Sequence, residues 1–223
     1  MQELNLIQEV AVWALPVLFA ITMHEVAHGW VAKQLGDPTA MMLGRLTLNP
    51  LKHIDPVGTI LVPLTLIVIS KFTGGGLFIF GWAKPVPVTA ENLHHPKRDM
   101  ALVAAAGPTA NLIMAILWAL IMKLVYVLPS GMLSLALPLT YMAGAGIAIN
   151  LLLMVLNLLP IPPLDGSRVV AGLLPDTLAW KYSRIEQYGL IILLGLMVTG
   201  ILGMIIWPPV TILQGMIYRM FGI

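Results

Sequence analysis

His24-Glu25-Val26-Ala27-His28 lies inside a largely apolar segment that runs from about Leu6 to Leu35 and is closed by Gly36-Asp37-Pro38. Imidazoles four residues apart share one face of a helix and can bind a single Zn²⁺, and a carboxylate beside the first can activate a water for attack. Three fixed positions in five recur by chance in soluble proteins, so the pattern alone is a moderate signal. The setting adds weight, because an ionisable group left unpaired in hydrocarbon costs about 2 kcal/mol or more. The plain alternative is that His24, Glu25 and His28 pack against neighbouring helices or line a proton path, with no metal.

Composition makes that setting a membrane. Of 223 residues, 59% are hydrophobic and 10% charged, far from the balance of a water-soluble domain. The length supplies several spans of about 20 residues joined by short connections, which predicts one membrane-embedded domain over 1–223. The net charge is +2 and the basic residues are scattered, so nothing points to nucleic acid. There is no cysteine; thiolate sites and disulfides are excluded, and a metal would have to be held by imidazole and carboxylate. Met1 to Val10 carries two glutamates and no basic residue, unlike a secretory leader, and reads as mature protein.

Three long spans are expected, over about Leu6 to Leu35, Ala101 to Leu128 and Met132 to Leu159. Residues 37–55 form a polar connection whose side chains could line a water path. Val57 to Ser70 is apolar but short for a crossing, and Phe72 to Val88, with aromatic and β-branched residues among prolines, predicts an extended strand or hairpin. Tyr188 to Tyr218 is apolar and interrupted by Trp207-Pro208-Pro209, which leaves one kinked span or two short ones, the broken, hairpin-like pair being preferred. Arg45, Lys52, Lys84, Lys97, Arg98, Arg168, Lys181 and Arg184 all fall in connections that the positive-inside rule assigns to the cytoplasm. Val57 to Trp82 must then leave and re-enter that side, and its return must pack on protein or line a cavity.

A catalytic zinc needs a third protein ligand and an open position. His53, His94 and His95 lie in polar connections, whereas Asp165 follows a long apolar run in the proline-rich stretch Pro160-Ile161-Pro162-Pro163-Leu164. Irregular backbone at membrane depth is tolerated only around a cavity, which favours Asp165. Taken alone it could equally cap a short helix beginning near Ser167. Asn111, inside a span, can stabilise an oxyanion or hold an unwound substrate backbone; equally, it can make an interhelical hydrogen bond worth about 0.6 kcal/mol. Asn150 reads as interhelical and Asn157 as a helix-end cap or a partner of a ligand. Gly107 and Pro108 read as close packing and a kink that lets Asn111 approach the metal.

On His24-Glu25-Val26-Ala27-His28-Gly29, Gly107-Pro108-Thr109-Ala110-Asn111 and Asn157-Leu158-Leu159-Pro160-Ile161-Pro162-Pro163-Leu164-Asp165-Gly166, in that order, the chain resembles the site-2 protease family of intramembrane metalloproteases (peptidase family M50). The likeness is to the small bacterial and archaeal members without a PDZ domain, and it extends to about Val170. It implies an all-α polytopic membrane protein with a three-helix catalytic core at about 6–170, a re-entrant hairpin or membrane-associated strand, and further membrane helices at about 185–221. It also implies one zinc per chain on His24, His28 and Asp165, with Glu25 as general base, and Phe78 to Val88 as a strand that holds a substrate helix in extended form. Substrates would be transmembrane proteins cut in or near their membrane helices. The protein would be multi-pass in the cell membrane, its site towards the cytoplasm; a regulatory membrane partner and the oligomeric state are left open. A metal-ion transporter would instead place several ligand clusters on different spans, and an inactive scaffold would have lost Glu25 or a ligand. One cluster is present and none of its members is lost.

Overall fold

The computed structural model describes residues 5–62, 65, 81–128 and 132–223, and among these the regular structure is entirely helical. Helix α1, Leu6–Gln34, begins where Asn5 and Gln8 cap one another reciprocally, each side chain accepting the other's backbone N–H. It ends at Gly36, whose φ of +108° glycine alone adopts readily. Helix α2, Pro96–Val125, starts five residues before the apolar run does. Pro96 suits a first helical position, and the Asp99 carboxylate accepts the His95 N–H at 2.7 Å, so the charged stretch 97–99 is helical as well. Helix α3 is Leu133–Asn157, followed by α4 Asp165–Leu173, α5 Asp176–Ser183, α6 Glu186–Val198 and α7 Ile201–Phe221.

Four of these helices, α1, α2, α3 and α7, are long and apolar enough to cross a membrane. The protein is a multi-pass membrane protein of the all-α class. Helix α2 packs against α1, α3 and α4. Its Ala115, Trp118 and Ala119 meet Ile147 and Leu151 of α3 and Val210 of α7, and a Cβ on Gly146 would overlap the Trp118 ring. Small residues at such contacts let helices approach where lipid offers no hydrophobic drive. Large apolar side chains, among them Trp13, Phe19, Leu117, Leu124 and Met204, are exposed on the outside, a surface suited to hydrocarbon rather than water.

Two local expectations are revised. The C-terminal break falls at Gly200, with φ +76°, and Pro208 and Pro209 remain inside α7. Glycine takes the left-handed conformation that ends α6 and starts α7, whereas prolines are accommodated in membrane helices. The expected strand over 72–88 lies partly outside the described residues, and its described part, 81–88, forms no strand ladder. Pro85 and Pro87 have no N–H to contribute to one.

Side chains and isolated carbonyls hold this segment instead. The Lys84 N–H donates to His53 O at 2.9 Å, and Arg45 Nη2 donates to Lys84 O at 2.8 Å. Trp82 N–H donates to Gly58 O at 3.1 Å while Thr59 Oγ1 donates to Trp82 O at 2.8 Å. Residues 58–59 and 82 therefore lie side by side. Asp37, Arg45 and His53, expected in a polar connection, are buried and engaged in this anchoring.

Asp37 is the deepest of these anchors. Its Oδ2 accepts the Thr89 N–H at 2.7 Å, and its Oδ1 accepts from Thr39 N, Thr39 Oγ1 and Asn92 Nδ2. Burial pushes the carboxyl up, but the hydrogen bonds from Asn92, Thr39 and Thr89 outweigh it and hold the pKa below the ordinary carboxylate range. A depressed folded pKa means that Asp37 stabilises the fold fully above the ordinary range and loses that contribution as pH falls through the lowered value. Asp37→Ala is expected to cost about 1–3 kcal/mol, the penalty for orphaned buried donors. Thermal unfolding in detergent checks the loss, and faster amide exchange at Thr89 locates it.

Candidate metal centre

Helix α1 places His24 and His28 on one face, their ring centroids 4.6 Å apart and nearly perpendicular. The proton on each ring is fixed from α2. His28 Nδ1 donates to the Val103 carbonyl at 2.7 Å, and His24 Nδ1 lies 2.7 Å from Asn111 Oδ1. A neutral imidazole carries one N–H; with both spent on Nδ1, each Nε2 presents a lone pair.

The third group arrives from the far end of α3. Leu158 to Leu164 is unwound, with a cis Pro162–Pro163 bond, and Asp165 is the first residue of α4. Its side chain does not cap that helix. It turns to the histidines, Oδ2 lying 3.1 Å from His24 Nε2 and 3.3 Å from His28 Nε2, while the two Nε2 atoms are 3.0 Å apart. Asp165 Oδ2 is buried and has no hydrogen-bond donor. With both rings neutral, three acceptor atoms converge with no proton to share between them, an arrangement that suits a cation.

The geometry fits a metal. Ligand bonds of about 2.0–2.1 Å in a tetrahedral site separate the ligand atoms by roughly 3.3 Å, against the observed 3.0, 3.1 and 3.3 Å. Two imidazoles and a carboxylate leave one position open, as a catalytic zinc site does. The same donor set serves mononuclear Fe(II), so it restricts the metal without choosing it. Among the described residues this is the one such group of three.

The sequence candidates divide cleanly. Glu25, half-buried, follows His24 and accepts the Val86 N–H on Oε2 at 2.7 Å. Asn111 is fully buried; besides facing His24, it donates to Ala20 O at 3.1 Å and to Asn150 Oδ1 at 3.0 Å, so both amide protons are spent within the helices. Asn150 is interhelical, as expected, and Asn157 bonds back to Leu153 O in its own helix. His53 faces the Thr47 carbonyl, and His94 and His95 are exposed. Sequence reasoning missed the roles of Val86 and Val103, which act through backbone atoms and leave no side-chain signal. Gly29, quoted with the His24–His28 motif, has a packing reason: a Cβ there would lie 2.8 Å from Val86 Cγ1, so glycine lets Val86 reach α1.

Comparison with known proteins follows the same line. The Bacillus subtilis (strain 168) protein named "Putative zinc metalloprotease YwhC" is 38% identical over 92% of this chain and 89% of its own length. Proteins of the same description named Rip2 are 29% identical in Mycolicibacterium smegmatis, over 82% of this chain and 64% of theirs, and 28% in Mycobacterium tuberculosis H37Rv, over 79% and 62%. No family model and no solved structure matches the chain. Near full-length similarity to YwhC, together with a two-histidine, one-aspartate centre among membrane-length helices, establishes that the chain belongs to the site-2 protease family of zinc metalloproteases.

Proposed function

We propose that this protein is an intramembrane zinc metalloendopeptidase, a single domain over 1–223 that hydrolyses peptide bonds in or near the transmembrane helices of other membrane proteins. The observation that carries the reading is the convergence of His24 Nε2, His28 Nε2 and Asp165 Oδ2 without a donor, with Glu25 on the same turn of α1. A zinc held by these three residues supplies Lewis-acid polarisation of a carbonyl and a water made acidic enough to be deprotonated near neutral pH. Glu25 takes the proton of the attacking water and passes it to the leaving amine. Asn111 serves His24 rather than the oxyanion, since both of its N–H groups are engaged.

A transmembrane substrate hides its carbonyls in helical hydrogen bonds and must be opened before cleavage. Residues 81–89 support a docking role by β-augmentation, since they run past α1 and carry the Val86 N–H beside Glu25. The cytoplasmic assignment rests on the basic connections. Arg45 bonds to residues 84–85, His94 N–H to Leu35 O, and Lys97 to Leu174 O and Asp176, so these connections gather at one end. Lys123 and Gly222 meet elsewhere, at the C-terminal ends of α2 and α7.

Gly107 walls the centre. A Cβ there would lie 2.5 Å from both His24 Cε1 and His28 Nε2, so any side chain displaces the two rings. Gly107→Ala is therefore expected to lower zinc affinity at least as much as loss of a ligand's hydrogen-bond partner, about 10–100-fold, measured by zinc content after dialysis against graded chelator. Glu25→Gln is expected to keep zinc near one per chain and to lose about 10²–10⁴-fold in cleavage of a single-span membrane protein. Bound zinc with cleavage unchanged in that variant would remove Glu25 from the reaction. Bound zinc with no cleavage by wild type would favour a metal-ion transporter or an inactive scaffold.

A further inference from the structure

We propose that Asn150 is a positioning residue of the metal centre, acting through Asn111 to hold His24 in the tautomer whose Nε2 can accept a metal. The inference rests on the metalloprotease reading only in taking His24 as a ligand. Neither asparagine touches the converging acceptor atoms themselves, and both are fully buried between α2, α3 and α1.

The two ligand histidines are controlled differently. His28 Nδ1 faces a backbone carbonyl, Val103 O, which can only accept, so its tautomer needs no further support. His24 Nδ1 faces a side-chain amide, and an amide has an accepting end and a donating end. Were Asn111 reversed, its NH₂ would face Nδ1, the ring proton would move to Nε2, and a donor would point into the centre. Something must fix which end of Asn111 faces His24.

The neighbouring acceptors do so. Asn111 Nδ2 donates to Asn150 Oδ1 at 3.0 Å and to Ala20 O at 3.1 Å. Reversal would set Asn111 Oδ1 against two acceptors. Asn150 must in turn present its oxygen, and its own Nδ2 is committed to Gly146 O at 2.8 Å, one turn back along α3. A reversed Asn150 would face that carbonyl with its oxygen and Asn111 with its NH₂. The chain Gly146, Asn150, Asn111, His24 is thus self-consistent in one direction only, which is the ground on which amide orientations are assigned. Helix α3, which contributes no ligand, sets the proton on a ligand of α1.

The test uses the full-length protein in detergent, with Zn²⁺ affinity from chelator competition and the visible absorption of the Co²⁺-loaded form. Asn150→Leu is expected to weaken Zn²⁺ binding about 10–100-fold, as loss of outer partners of ligands does, and to shift the cobalt bands. Asn150→Asp, kept protonated by burial, can turn one oxygen towards Asn111 and donate its O–H to Gly146 O, and should retain near wild-type affinity and bands. Asn111→Leu should resemble Asn150→Leu, and the double variant should be little worse than either, because the two residues act in series. A folded Asn150→Leu with wild-type affinity and unchanged bands overturns the proposal; if that variant does not fold, Asn150→Ala is judged by the same criteria. Failure of wild type to bind metal overturns both this inference and the metalloprotease reading, whereas loss of cleavage in Asn150→Leu with intact metal properties overturns this inference alone.

Discussion

Buried acceptors that meet without a donor are expensive, and here three meet among apolar helices. His24 Nε2, His28 Nε2 and Asp165 Oδ2 lie within 3.0–3.3 Å of one another, close enough that their lone pairs and charge oppose any structure that leaves them uncompensated. Much of the surrounding architecture keeps them so. Val103 O and Asn111 hold the ring protons on the far nitrogens, Gly107 keeps the space open, and the unwound end of α3 delivers the aspartate. A cation held between the three would compensate them.

The same logic extends to the segment over Glu25. Residues 81–89 have no strand partner among the described residues, yet they are not loosely placed. Asp37, Arg45 and the His53 carbonyl each take a backbone group of this stretch, and Gly29 lets Val86 come close to α1. Pro85 and Pro87 leave the Val86 amide as the one N–H between residues 84 and 88. That donor is directed at the residue assigned as general base.

How much of this was legible in the sequence follows from what kind of atom does the work. The helical class and the long spans were readable from apolar runs and the His24–His28 pair from its spacing, whereas Asp165 was read from its place in a proline-rich break and from the family resemblance. The Asn111 role was left divided between chemistry and packing, since a single amide looks the same in both; the positions of Ala20 O and Asn150 Oδ1 show its donors spent. The contributions of Val86 and Val103 were invisible because any residue supplies a backbone N–H or carbonyl. The C-terminal break was misplaced because two prolines are a stronger written signal than one glycine, although the glycine is what permits the positive φ at residue 200.

The most direct test of the account is X-ray absorption at the zinc edge on the purified, zinc-loaded protein, compared with Asp165→Ala. The account predicts a first shell of two imidazole nitrogens and light oxygen donors at about 2.0–2.1 Å, with one oxygen contribution altered in the variant. A shell without imidazole scattering, or one unchanged by Asp165→Ala, would contradict the assignment of His24, His28 and Asp165 as the metal ligands.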